Sequence, residues 1–77
     1  MNVQYRVVFG KKDEEVEGPD DADVIVTIGA ADASVAPSVA YMQGLLKASG
    51  HTGRLFEVLR NGDAAAAIGR LASSRPA

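Results

Sequence analysis

The chain is expected to fold as a small α+β domain, an antiparallel-rich sheet of about four strands with C-terminal helices packed on one face. Three observations predict this. Val3, Tyr5, Val7 and Phe9 alternate with Asn2, Gln4, Arg6 and Val8, which is strand periodicity with β-branched and aromatic enrichment. Val24, Val26 and Ile28 alternate in the same way with Ile25 and Thr27. From Thr52 the period changes to that of an amphipathic helix. With 77 residues the chain makes one domain, placed at residues 1–72 with a frayed tail at 73–77. A domain this small buries roughly 60–65% of the surface its unfolded chain exposes. Its core supplies only about 3–5 kcal/mol.

The first strand ends at the turn-forming Gly10-Lys11-Lys12-Asp13. Glu14-Glu15-Val16-Glu17 reads as a short exposed edge strand, whose charges guard against edge-to-edge pairing. Gly18-Pro19-Asp20-Asp21 is a strong breaker. Val24–Ile28 is the best strand in the chain, and its apolar second face suggests a central position or cover on both sides. Residues 29–36 suit one or two helical turns capped by Asp32 or Ser34, and Pro37 suits the first position of a helix. Val39, Met42 and Tyr41 are expected on the core face of that helix, which Gly44 interrupts. Residues 45–49 are ambiguous between strand and helix by periodicity alone. In the next helix Leu55, Phe56 and Leu59 form the apolar stripe, with Arg54, Glu57 and Arg60 towards water. Asn61-Gly62 supplies a left-handed stop, Asp63 caps a second helix, and only Ile68 and Leu71 anchor that helix with large side chains.

Composition narrows the function classes. A hydrophobic fraction of 47% beside 23% charged residues belongs to a globular chain. The net charge of −2 and the scattered Lys/Arg argue against nucleic acid as a partner. No apolar run approaches the roughly 20 residues of a membrane span. The first residues lack the basic-then-apolar build of a signal peptide, so a cytoplasmic location is expected. Without cysteine there is neither a disulfide nor a thiolate metal site, which leaves self-association as the remaining staple.

Residues 40–56 are the most informative stretch. Ala40-Tyr41-Met42-Gln43-Gly44 is followed by Leu45-Leu46-Lys47-Ala48-Ser49-Gly50 and then by His51-Thr52-Gly53-Arg54-Leu55-Phe56. This resembles the signature of the sterol carrier protein-2 family, whose domains hold lipids in an apolar tunnel between a sheet and its covering helices. In that family a helix entered through proline closes with an aromatic or Met, Gln and Gly. A short strand alternating apolar residues with Lys then runs to a second glycine. The resemblance covers roughly residues 3–60 and implies a strand at 45–49, with Leu46 and Ala48 inward and Lys47 outward. Relative to the family the chain begins after an opening helix and strand, and the segment between Ile28 and Pro37 is shorter. Both pieces help wall the family's tunnel. The resemblance therefore implies either a reduced cavity or a wall contributed by a second copy of the chain, and an outward Leu45 would suit such an interface.

The ligand-binding residues implied are Tyr41, Met42, Gln43, Leu46, Phe56 and Leu59, holding a lipid, acyl chain or sterol-like body. The apolar members equally well fill the core of a small protein, and Gln43 either orients a headgroup or closes a helix with its backbone. The expected function is non-catalytic lipid binding or transfer without a cofactor. The alternative is a cavity-less interaction module that works through homodimerisation or a protein partner. No catalytic residue is assigned: Ser34, Ser38 and Ser49 lack a nucleophile elbow, and no carboxylate pair sits in an apolar setting. No metal site is assigned either. His51 has no spaced partner and reads as a surface residue at the start of a helix, and Asp20-Asp21-Asp23 lacks the closing Glu of a calcium loop.

Overall fold

Strand β1 (Val3–Gly10) and strand β3 (Val24–Gly29) form the inside of a four-stranded sheet of order β2-β1-β3-β4. The computed structural model describes residues 2–74. Strand β2 (Asp13–Glu17) folds back on β1 through the Lys11-Lys12 turn and lies at one edge, as its charge pattern predicts. Strand β4 (Leu46–Gly50) pairs antiparallel with β3 at the other edge, so the ambiguous 45–49 segment is strand. The β1–β3 pair is parallel, which makes the sheet mixed, with two antiparallel pairs and one parallel. Helices α1 (Pro37–Met42), α2 (Thr52–Asn61) and α3 (Asp63–Ala72) complete the α+β architecture, after a single 3-10 turn at Ala30–Asp32.

The register decides which face meets the helices. Tyr5 lies beside Val26, Val7 beside Ile28, and Ile28 beside Leu46, so these side chains share one face. Together with Leu55 and Val58 of α2 and Ala64, Ala67, Ile68 and Leu71 of α3 they form one core cluster. Ala64 and Ala67 are fully buried. They let α3 approach the sheet closely, and so give it more anchorage than Ile68 and Leu71 alone. The opposite face carries Arg6, Val8, Val16, Ile25 and Thr27, and none of these joins the cluster. β3 is therefore central in the sheet but covered on one side only.

Gln4 sits on that second face and is nevertheless completely buried. Its amide nitrogen donates to the Pro19 carbonyl (3.1 Å) and to Asp20 Oδ1 (3.2 Å). Its oxygen accepts from Arg6 Nε at 2.7 Å. The β2–β3 loop thus covers β1 and satisfies the one buried polar side chain of the described residues, as burial of an amide requires.

Several sequence expectations are corrected. On α1 the buried residues are Pro37 and Ala40, whereas Val39 is 44% and Met42 84% exposed. Six residues give too few turns for periodicity to set the phase, and the small Pro37/Ala40 pair allows the closest approach to β4. On α2 the inward residues are Leu55 and Val58, with Leu59 partly buried and Phe56 half-exposed. Leu45 packs against the core rather than standing outward. Neither Asp32 nor Ser34 caps a helix: Gly29 precedes the 3-10 turn and Ala36 precedes α1. Gly62, with φ of 92°, both ends α2 and opens α3, and Asp63 is the first residue of that helix rather than its cap. Asn61 Oδ1 accepts from the Asp63 backbone N–H at 2.8 Å instead. Of the expected tail, Ser74 bonds back to the Leu71 carbonyl, and residues 75–77 lie outside the described residues.

Glu17 ties β2 to α3 by accepting from Arg70 Nε (3.1 Å) and Nη2 (2.6 Å). The Arg70 hydrogen bonds hold its carboxyl below the ordinary glutamate value. A depressed folded-state value adds stability above the unfolded pKa, near 4.3, and that stability is lost as pH falls through the folded value. Glu17→Gln is expected to flatten the acid limb of a stability–pH curve measured by urea unfolding. The effect is small, because both partners are well exposed.

Candidate functional site

Helices α1 and α2 lie side by side, and their outward flanks enclose an open cleft of about 500 Å³. Its walls are Tyr41 and Met42 from α1 with Phe56 and Leu59 from α2, and Ser38 and Arg60 add polar groups. The volume lies within the range of small-molecule sites, roughly 300–1,000 Å³. Local sequence explains the placement. Gln43 closes α1 with its backbone N–H on the Tyr41 and Val39 carbonyls. β4 then occupies the sheet edge, and α2 starts under a cap in which His51 Nδ1 accepts from the Arg54 N–H at 3.2 Å. With Leu55 and Val58 turned to the core, Phe56 and Leu59 are left on the flank that faces α1. Tyr41 and Phe56 meet edge to face, with ring centroids 5.9 Å apart and planes at 85°, an arrangement favoured by the aromatic quadrupole.

Four of the six residues proposed from sequence, Tyr41, Met42, Phe56 and Leu59, therefore come together around one cleft. The other two do not line it. Leu46 is 2% exposed and belongs to the core beneath the helices. Gln43 is exposed at the end of α1. The site is displaced from its expected place: the space between sheet and helices is occupied by the core cluster, and the cleft opens on the outer side of the helical layer. Ser38 and Arg60 were not foreseen as lining residues. Their one available signal is position, since Ser38 lies three residues before Tyr41 and Arg60 four after Phe56, both on a shared helical face.

A second recess of about 290 Å³ is more polar and lies where β1 meets α2 and α3, around Tyr5, Arg54, Asp63 and Arg70. Burial, followed by the Asp63 charge, pushes the Tyr5 hydroxyl above its ordinary pKa. Tyr5 is therefore neutral at physiological pH. Its stabilising contribution is present below pH 10 and lost as pH rises through the folded value. The two arginines of this recess are already committed within the chain. Arg70 binds Glu17, and Arg54 binds Glu57 one turn along α2.

Among the described residues no group of three or more His, Cys, Asp or Glu side chains is placed to hold a metal ion. No helix among them is long and apolar enough to cross a membrane.

No family model matches the chain, and no curated protein does. Among solved structures, the stereoselective inverting sec-alkylsulfatase Pisa1 from Pseudomonas sp. is similar over 75% of this chain at 19% identity, with a TM-score of 0.42. The match spans 12% of the alkylsulfatase chain.

Proposed function

We propose that the protein is a non-catalytic binder of a lipid or other hydrophobic small molecule, held in the α1–α2 cleft. The observation that carries this reading is the exposure of large apolar side chains around one concavity: Met42 is 84% and Phe56 49% exposed, both on the cleft wall. A small domain leaves such groups in water at a cost, and covering them with an acyl chain recovers about 25 cal/mol per Å² of apolar area removed from water. The resemblance of residues 40–56 to the sterol carrier protein-2 signature supports the same ligand class.

Phe56→Glu places a carboxylate in the wall and removes the edge-to-face contact with Tyr41. It is expected to weaken binding of a fluorescent fatty-chain probe tenfold or more, a loss of at least about 1.4 kcal/mol, with an unchanged far-UV circular dichroism spectrum. Equal binding by the variant would place the ligand elsewhere.

The exposure of Val39, one turn before Met42 on α1 and outside the cleft lining, favours a second reading. In it the same face mediates homodimerisation or docks a protein partner. Native mass spectrometry of the protein purified gently from cells separates the two. A bound mass that releases as a lipid supports the binder. A ligand-free dimer, which takes up no added lipid, supports the interaction module and contradicts the binder.

A further inference from the structure

We propose that the α1–α2 cleft selects single-chain amphiphiles with an oxyanion head, and that Arg60 is the residue that reads the charge. This deepens the reading of the cleft as a binding site and rests on it.

The described part of the chain holds four arginines, and three are committed to carboxylates: Arg6 to Glu14, Arg54 to Glu57 and Arg70 to Glu17. Arg60 has no carboxylate partner among the described residues, and it is the only charged side chain in the cleft lining. Glu57, three residues back on α2, would be the natural local partner, but Arg54 holds it. The cleft therefore combines four apolar side chains with a net positive charge. Its low-dielectric walls strengthen the field of that charge over its value in open water.

The shape of the charge matters as well. A guanidinium presents a planar fork that binds a carboxylate, sulfate or phosphate through two parallel hydrogen bonds. The Ser38 hydroxyl lines the same cleft from α1 and offers a further donor. An amphiphile of this class lays its chain on Tyr41, Met42, Phe56 and Leu59 and turns its head to Arg60. A neutral alcohol of equal length gains only the chain contacts. A quaternary ammonium head meets a like charge, which is a penalty as well as a missing contact. Arg60 also lies in the last turn of α2, where a cation complements the helix dipole. A purely structural role of that kind would not move ligand preference.

The test is isothermal titration of the full chain with decanoate, decyl sulfate and decyltrimethylammonium, each below its critical micelle concentration, and with decanol below its solubility limit. The wild-type protein is expected to bind the two anions about three- to tenfold more tightly than decanol, the scale of a partly screened charge-assisted contact, with the cation weakest. Whichever anion binds more tightly names the preferred head. Arg60→Gln should bring both anions to the affinity that decanol shows for the same variant, while Arg60→Lys retains a preference for anions. Raising the ionic strength should weaken the anions alone. Equal affinities across the wild-type series, or an anion preference that survives Arg60→Gln, would overturn the assignment to Arg60 and leave the cleft as a chain-binding site. Failure of all four ligands to bind would overturn the cleft itself, and the charge reading with it.

Discussion

Replacing Gly50 with alanine is expected to leave the chain largely unfolded. Gly50 ends β4 with φ of 106°, a left-handed conformation that L side chains rarely adopt. It lies opposite Val24, and the next residue, His51, donates its backbone N–H to the Asp23 carbonyl at 3.1 Å. A Cβ built on Gly50 would stand 1.9 Å from that same carbonyl oxygen. The obstacle is backbone at the residue that leads into the inner strand β3, so it cannot swing aside as a flexible side chain would. The left-handed backbone alone costs about 1–3 kcal/mol for a residue with a Cβ. The overlap adds to this, and a core this small has only about 3–5 kcal/mol in reserve. Circular dichroism at 25 °C should show loss of the folded spectrum for Gly50→Ala. A cooperative thermal transition at the wild-type temperature would mean that β4 does not pair with β3 in this register.

Leu46→Ala is the second large effect. Leu46 is 2% exposed, lies opposite Ile28 in the β3–β4 ladder and packs in the same cluster as Leu55 and Val58. Truncating a buried leucine removes transfer free energy and leaves a cavity, together about 2–5 kcal/mol. That is comparable to the whole reserve of the domain. Met42→Ala serves as the contrast: four residues away, but 84% exposed, it should change stability by no more than about 0.5 kcal/mol. Urea unfolding of both variants separates core from cleft. A stable Leu46→Ala protein, or a strongly destabilised Met42→Ala one, would reverse the assignment of these residues.

The strands and the C-terminal helices were legible because their apolar residues recur over enough positions to fix a phase. Val3 to Phe9 and Val24 to Ile28 each give several repeats of period two, and the register places the alternating residues of both on the core face. Helix α1 is different. Its six residues span less than two turns, and its buried positions are Pro37 and Ala40, which hydropathy ranks below Val39 and Met42. The largest apolar side chains were expected inside, and the small ones went there because they bring the helix close to β4. The same substitution of Val58 for Phe56 on the inner face of α2 follows from spacing: Leu55 and Val58 are three apart, and Phe56 is left on the flank.

Long-range pairings leave no local mark. Gln4 reads as an outward polar residue of β1, yet its partners Pro19 and Asp20 come from a loop fifteen residues away and bury it. The parallel pairing of β1 with β3 is equally silent in the sequence, because alternation specifies a face and not a neighbour. For the candidate site, residue identity was more legible than location. Tyr41, Met42, Phe56 and Leu59 converge, but on the outer side of the helices, because Leu46 and its neighbours fill the space beneath.

The methyl signal of Met42 reports directly on whether a ligand enters the α1–α2 cleft. In protein labelled with ¹³C at its methionine methyls, Met42→Leu identifies that signal, and decanoate is then titrated into the unlabelled solvent below micelle formation. Binding in the α1–α2 cleft predicts a saturable shift of the Met42 methyl resonance, abolished by Phe56→Glu. A Met42 signal that does not move while decanoate binds, or that moves identically in the Phe56→Glu protein, would contradict the cleft as the ligand site.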